Sequence, residues 1–313
     1  MSRPGGTFAG LPAAAGPAQA GMLIAIIGAE HATPYEAGRP SHSAGAPGAL
    51  RAALTGYARQ GDRYDFDLGG LPTPGAFDAG DVAGDPADPE GNRRRITAAV
   101  RGLLEHDVVP VVLGGDDSVP IPMFSAFEGR GPLTVVQIDA HMDWRDEVRG
   151  ERLGWSSPMR RASEMPWIRR MVQVGQRGTG SAGAREVADA RAWGSRIVTA
   201  QEVHRHGIAP VLDLVGAGET CLVTLDCDGL DPSIMPGAGP VAGRARLLAR
   251  RGAAPRPGGE DAPGRLRPRR IHAGPRPGRR RCAHRRPDRL QRDRGDRALA
   301  KPQAVIASWW PKM

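Results

Sequence analysis

Short apolar runs, each closed by glycine or an acid, recur along the first 240 residues and restrict the chain to few folds. They are MLIAIIGAE (22–30), VVPVVLGG (108–115), LTVVQIDAH (133–141), MVQVG (171–175) and CLVTLDCD (221–228). Each is short for a helix and too uniformly apolar to face water on one side, so each reads as a strand buried on both faces. Between them lie segments with apolar residues at helical spacing. Residues 92–106 put Ile96, Val100, Leu103 and Leu104 on one side, and 156–165, 182–193 and 208–215 also read as helices. This alternation with short loops predicts a parallel sheet covered on both faces.

Three of these strands end in polar motifs: GGDDS (114–118), DAHMD (139–143) and DCDGLD (226–231). Open α/β sheets place ligand sites at the carboxyl ends of their strands. In an extended segment Asp139, His141 and Asp143 share one side, and so do Asp226 and Asp228, with Cys227 facing away. Taken singly, each motif has an ordinary reading as a cap, a turn or a hydrogen-bonded loop acid. Taken together, so many carboxylates in one cleft repel one another unless a cation neutralises them. Carboxylate oxygens with one imidazole suit Mn²⁺ or a similar divalent ion. GGDDS is not a phosphate-binding glycine loop, which argues against a nucleotide site.

The net charge of +9 averages two unlike compositions. Residues 241–313 carry 21 Lys and Arg against 5 Asp and Glu, whereas residues 1–240 carry 22 against 29. The first 240 residues are therefore acidic and the end strongly basic. Residues 244–298 hold no sustained hydrophobic period, so 241–313 is expected to be a disordered, low-complexity tail. No aromatic residue lies between Arg244 and Arg297, which disfavours nucleic-acid binding through stacking. Three cysteines, Cys221, Cys227 and Cys282, form no even framework and point to a reducing, cytoplasmic setting. No apolar run reaches the roughly 20 residues that span a bilayer. Residues 1–20 read as a mobile leader, ahead of an α/β domain over 21–240.

The motifs GGDDS, DAHMD and TLDCDGLDPSIMPG (224–237), in that order, resemble those of the ureohydrolases, the family of arginase and agmatinase. The stretch 33–51 is similar to that family's early segment, and the likeness covers roughly residues 20–240. The resemblance implies a three-layer α/β/α sandwich around a parallel sheet and two Mn²⁺ per subunit. It implies hydrolysis of a linear guanidino compound to urea and an amine by a hydroxide shared between the ions. Agmatine is the first candidate substrate and a guanidino acid such as guanidinobutyrate the alternative. Carried across residue by residue, Asp139, His141, Asp143, Asp226 and Asp228 match metal ligands, and Asp117 stands where most members have a ligating histidine. Asp143 and Asp228 match residues that steady the reaction, and Arg145 is placed to pair a substrate carboxylate. Relatives form trimers or hexamers, so a homo-oligomer is expected.

Three departures stand out. Trp155 takes the position of a histidine proposed as a proton shuttle, and a tryptophan cannot relay protons. Gly178 replaces an acid seen in some members, with His42 and Glu164 as possible substitutes that also have structural readings. The third departure is the end of the chain, where the family's helix, glutamate-bearing strand and last helix are not recognisable. A reading frame shifted after about Gly239 accounts for this. Codons for residues 267–298 read from their second base permit an apolar strand with a glutamate (DLVE), a loop and an amphipathic helix. On that reading the written chain lacks its guanidinium-binding glutamate and is a defective, non-catalytic relative.

Overall fold

In a computed structural model, the residues described are 6–14, 21–36, 38–59, 63–66, 70, 75–179, 182–216, 218–235 and the strand Pro302–Ser308. The order of elements is β1 (Ile24–Ala29), α1 (Ala46–Ala53), β2 (Ala76–Val82), α2 (Pro89–Leu104), β3 (Val109–Gly114), α3 (Pro120–Ser125), β4 (Leu133–Ile138) and α4 (Pro158–Ser163). Then come β5 (Ile168–Val174), α5 (Ala184–Trp193), β6 (Arg196–Val198), α6 (Ala200–His206), α7 (Ala209–Leu214), β7 (Cys221–Asp226) and β8 (Pro302–Ser308). The eight strands form one sheet in the order β2-β1-β3-β8-β7-β4-β5-β6, and every pairing is parallel.

The sheet is buried on both faces, as the apolar runs require. Val135 and Met171 point into a large core with Ile96 and Val100 of α2, Phe124 of α3 and Met159 of α4. Their chain neighbours Val136 and Val172 point the other way, toward Val203 of α6 and Val211 and Leu214 of α7. The layers are therefore helix, sheet, helix.

Several elements differ from the sequence reading for identifiable reasons. α2 begins before residue 92 because Asp88 caps it, accepting from the Gly91 N–H at 2.8 Å, with Pro89 opening the first turn. β2 (AFDAGDV) is a buried strand with two acids in it, a pattern that hides it from hydropathy. Arg51, 2 % exposed, neutralises both: Nε lies 2.7 Å from Asp78 and Nη1 2.5 Å from Asp81. α1, α6 and β6 are likewise additions to the sequence reading.

Residues 6–14 are not a free leader. Phe8 N–H donates to the Asp78 carboxylate at 2.7 Å, and Ala13 bridges the β2 backbone at Asp78. The basic tail also contributes an element, since β8 sits in the middle of the sheet between β3 and β7. PQAVIAS is the one β-prone run near the end, and without it β3 and β7 would each leave a row of buried backbone groups unpaired. The remaining residues of 241–313, including the 267–298 segment and Cys282, lie outside the described residues. Cys221 and Cys227 are buried free thiols. Among the described residues, no helix is long and apolar enough to cross a membrane.

Candidate metal centre

The sheet register brings the three acidic motifs to one level. Gly114 at the end of β3 and Asp226 at the end of β7 both pair with Ser308, and Leu225 pairs with Ile138 at the end of β4. The loops that follow carry the acids. Gly115 is required where the first loop leaves β3, because a Cβ there would lie 2.0 Å from the backbone oxygen of Glu30.

The acids converge by loop geometry and not by strand alternation. β4 stops at Ile138, and DAHMD is a loop in which Asp143 adopts a left-handed φ of 45°. That backbone is held by Met159 N–H and Arg160 N–H, which donate to the Asp143 carbonyl at 3.1 and 3.2 Å. β7 stops at Asp226, and 227–229 form a single 3-10 turn in which Asp228 N–H donates to the Asp226 carboxylate at 2.8 Å. Arg177 clamps this turn by donating to the carbonyls of Asp228, Gly229 and Leu230. A Cβ on Gly229 would lie 2.7 Å from Asp139 N, so only glycine lets the turn pass the end of β4.

Two ligand clusters result, and Asp139 belongs to both. Asp139, His141 and Asp228 offer atoms within 4.8 Å of one another, as do Asp117, Asp139 and Asp143. His141 Nδ1 lies 2.9 Å from Asp228 and 3.4 Å from Asp139. Five of the six residues singled out in the sequence thus share one centre. Asp226 borders it, with one oxygen turned to the Asp228 N–H. Arg145 lies outside the acid clusters, with its guanidinium half-exposed and 3.8 Å from Glu186. Asp116 is buried beside Asp117 and accepts from the Ser118 hydroxyl and N–H.

The electrostatics are those of a cation site. Burial, then the charges of Asp139 and Asp226, push the Asp117 carboxyl well above the usual range. Burial, with Asp143 or Asp139 as the next cause, does the same to Asp139 and Asp226, and burial with Asp117 does so to Asp143. Hydrogen bonds to Asp139 and Asp228 push His141 up to about 11, so it is held as a cation. Burial alone would raise Asp228, but His141 and the Ala140 N–H hold it below its ordinary value. Both carboxylate oxygens of Asp117 are buried and meet no N–H donor, and the side chain that hydrogen-bonds with Asp117 is another acid, Asp143. A buried acid facing two other acids with no N–H donor is costly unless something positive joins it. The residues present therefore fit a pair of divalent ions sharing Asp139, with a hard oxygen-rich donor set.

An aromatic wall stands beside the centre. Trp155 packs on Tyr35 with ring centroids 3.9 Å apart, and His42 meets Trp155 edge-on at 5.3 Å. Burial first, and then the negative charges of Asp143 and Asp116, raise the Tyr35 phenol, which places this ring within reach of the acids' field. Gly154 makes the stacking possible, since a Cβ there would lie 2.0 Å from Tyr35. Glu164 pairs with Arg161 at 3.2 Å and Arg160 at 3.4 Å, a structural role. The sequence reading did not single out Tyr35, Arg177 or Gln137, whose positions become meaningful only through the fold.

The arginase family profile matches residues 23–243. The chain is 32 % identical over 190 residues to guanidinobutyrase of Pseudomonas aeruginosa, covering 56 % of this chain and 57 % of that protein. It is 31 % identical over 238 residues to proclavaminate amidinohydrolase of Streptomyces clavuligerus, covering 72 % of each. The solved structure of proclavaminate amidino hydrolase from S. clavuligerus superposes with a TM-score of 0.64 at 26 % identity, covering 99 % of this chain and 89 % of that one. The chain spans about half the length of several curated relatives it matches. With its parallel sheet, its paired acid clusters and a profile match over most of its length, this chain belongs to the arginase family.

Proposed function

We propose that the chain hydrolyses the guanidino group of a small linear substrate, using two divalent ions, manganese first among them. The observation that carries this reading is the shared position of Asp139 between two clusters, with Asp117 buried among acids on one side and His141 on the other. Asp117, Asp139 and Asp143 would hold one ion, and Asp139, His141 and Asp228 the other, with Asp226 bordering both. Bound there, such ions would lower the pKa of a water they share so that it attacks at neutral pH. Asp143 and Asp228 would steady the tetrahedral intermediate and relay a proton to the leaving amine. The Tyr35–Trp155 wall offers aromatic faces to the substrate guanidinium and screens it from bulk water. The guanidinobutyrase likeness keeps a guanidino acid beside agmatine as candidate substrate, with Arg145 as a candidate contact for its carboxylate. Urea release from agmatine and from 4-guanidinobutyrate, with and without Mn²⁺, tests the reading. Saturable, Mn²⁺-dependent urea from either supports it. Tight binding of Mn²⁺ with no urea from any guanidino compound counts against it.

A second reading rests on a separate observation. The family match stops at residue 243, and the central strand β8 (PQAVIAS) carries no acid. On this reading the frame is shifted after about Gly239, and the written chain is a defective relative, poorly stable and weakly active or inactive. Sequencing the DNA around codons 236–250 decides it, because an intact frame with no family-like alternative would sink the shift. A homo-oligomer is part of the proposal and is checked by light scattering.

A further inference from the structure

A chain of buried amides runs from Ser195, beside the edge strand β6, to the two acid clusters. Gln137 on β4 and Gln173 on β5 are register partners, 1 % and 0 % exposed. The Gln137 amide nitrogen donates to Asp139 at 2.9 Å and to Asp143 at 2.8 Å, so its two hydrogens serve two carboxylates. Its oxygen accepts from the Gln173 amide nitrogen at 2.7 Å. Gln173 donates its other hydrogen to the Met142 carbonyl at 2.8 Å, next to the left-handed Asp143. The Gln173 oxygen accepts from the Ser195 hydroxyl, 5 % exposed for the residue, at 2.8 Å.

Only one orientation satisfies every group. A backbone carbonyl only accepts, so Gln173 must turn its NH2 toward Met142, and the Gln137 oxygen that meets this NH2 leaves the Gln137 NH2 for the two acids. The Gln173 oxygen is then left for Ser195. Ser195, whose hydroxyl can donate or accept, follows this direction and closes the chain of bonds by donating to Gln173.

We propose that Gln137 is a positioning residue for the metal centre: through Gln173 and Ser195 it fixes the spacing and direction of Asp139 and Asp143, and so sets the affinity of the cluster these acids form with Asp117. The proposal rests on the metal reading above. Each carboxyl gives one oxygen to Gln137, and the other oxygen of Asp139 accepts from the His141 N–H at 2.5 Å. Groups one shell behind metal ligands typically change metal affinity about 10- to 100-fold when removed.

The test is a Mn²⁺ titration of the full chain, with free Mn²⁺ followed by electron paramagnetic resonance and thermal unfolding measured in parallel. The unaltered chain is expected to bind two equivalents. Gln137→Met, which keeps the volume and removes both donors, is expected to weaken one equivalent by about 10- to 100-fold while the other stays within a few-fold. Ser195→Ala is expected to weaken the same equivalent, by less. Gln137→Met binding both equivalents within twofold of the unaltered chain overturns the proposal, whatever happens to the melting temperature. Should Gln137→Met fail to fold, Ser195→Ala decides, and unchanged binding of both equivalents overturns it. An unaltered chain that binds no Mn²⁺ defeats the metal reading itself and this proposal with it, an outcome distinct from the relay failing alone.

Discussion

His141 Nδ1 lies 3.4 Å from Asp139 and 2.9 Å from Asp228, and hydrogen bonds to these two, Asp139 first, push the imidazole toward the cation where a metal would need it neutral. His141 is pushed up to about 11, and Asp117, Asp139, Asp143 and Asp226 are all raised. For a raised histidine, the stabilising contribution is full below about 6.5 and is lost as pH climbs toward about 11. For a raised carboxyl, the folded chain binds more protons than the unfolded one, so stability also falls as pH rises above 3.8. The metal-free chain should therefore melt lower at pH 8.5 than at pH 6, and Mn²⁺ should raise the melting temperature more at the higher pH. Differential scanning calorimetry with EDTA and with Mn²⁺ at both values checks this. A Mn²⁺ effect that is larger at pH 6 would contradict it.

Asp117 meets no N–H donor and is buried against other acids, so its removal should separate stability from metal binding. Asp117→Ala should leave the metal-free fold about 1 kcal/mol more stable, because an unsatisfied buried polar group is gone. It should also abolish binding of one Mn²⁺ equivalent. Chemical denaturation beside a metal titration reads both quantities. Equal stability and two intact equivalents would show that Asp117 is a bystander.

Arg51 and Asp78 are joined by two bonds, Nε to Oδ2 at 2.7 Å and Nη2 to Oδ1 at 2.9 Å, and Asp78 also ties down Phe8. Replacing Arg51 by methionine strands two acids in β2, and breaking such a buried pair costs about 3–5 kcal/mol. Burial works to raise Asp78, but Arg51 and the N–H groups of Phe8 and Gly80 hold it below its ordinary value. A depressed carboxyl stabilises above its unfolded pKa of 3.8, and that contribution is lost as pH falls below it. The unaltered chain should lose stability on acidification below about pH 4, and Arg51→Met should lose less there. Urea midpoints from pH 3 to 7 give the comparison.

Gly229 passes the end of β4 so closely that a Cβ would lie within 2.8 Å of three backbone atoms, Asp139 N among them. Gly229→Ala must displace the turn that carries Asp228. The His141-containing cluster should lose Mn²⁺ affinity by at least about tenfold, with secondary structure by circular dichroism unchanged. Wild-type affinity in the alanine variant would mean that the turn yields without moving Asp228.

Much of this protein was legible in its sequence because the relevant signals are local. Uniformly apolar runs identified β1, β3, β4, β5 and β7, and the acids at the ends of β3, β4 and β7 marked the centre. Other parts were illegible because their cause lies far away in the chain. β2 looks too polar until Arg51 supplies its counter-charge, and residues 6–14 have no pattern until Asp78 gathers them.

The sequence by itself determined a parallel α/β chain with an acidic cation site, because burial periodicity and repeated carboxylates are written residue by residue. It did not determine how those carboxylates meet. Alternation along a strand predicted a shared side, whereas both motifs lie beyond their strands on loops set by the Asp143 backbone, the Arg177 clamp and Gly229. Nor did it show that β8 completes the centre of the sheet from within a basic tail, or that Gln137 faces two of the clustered acids at once. Hydrogen-bond direction and close approach are properties of atoms brought together from distant strands, so only the tertiary structure decided them.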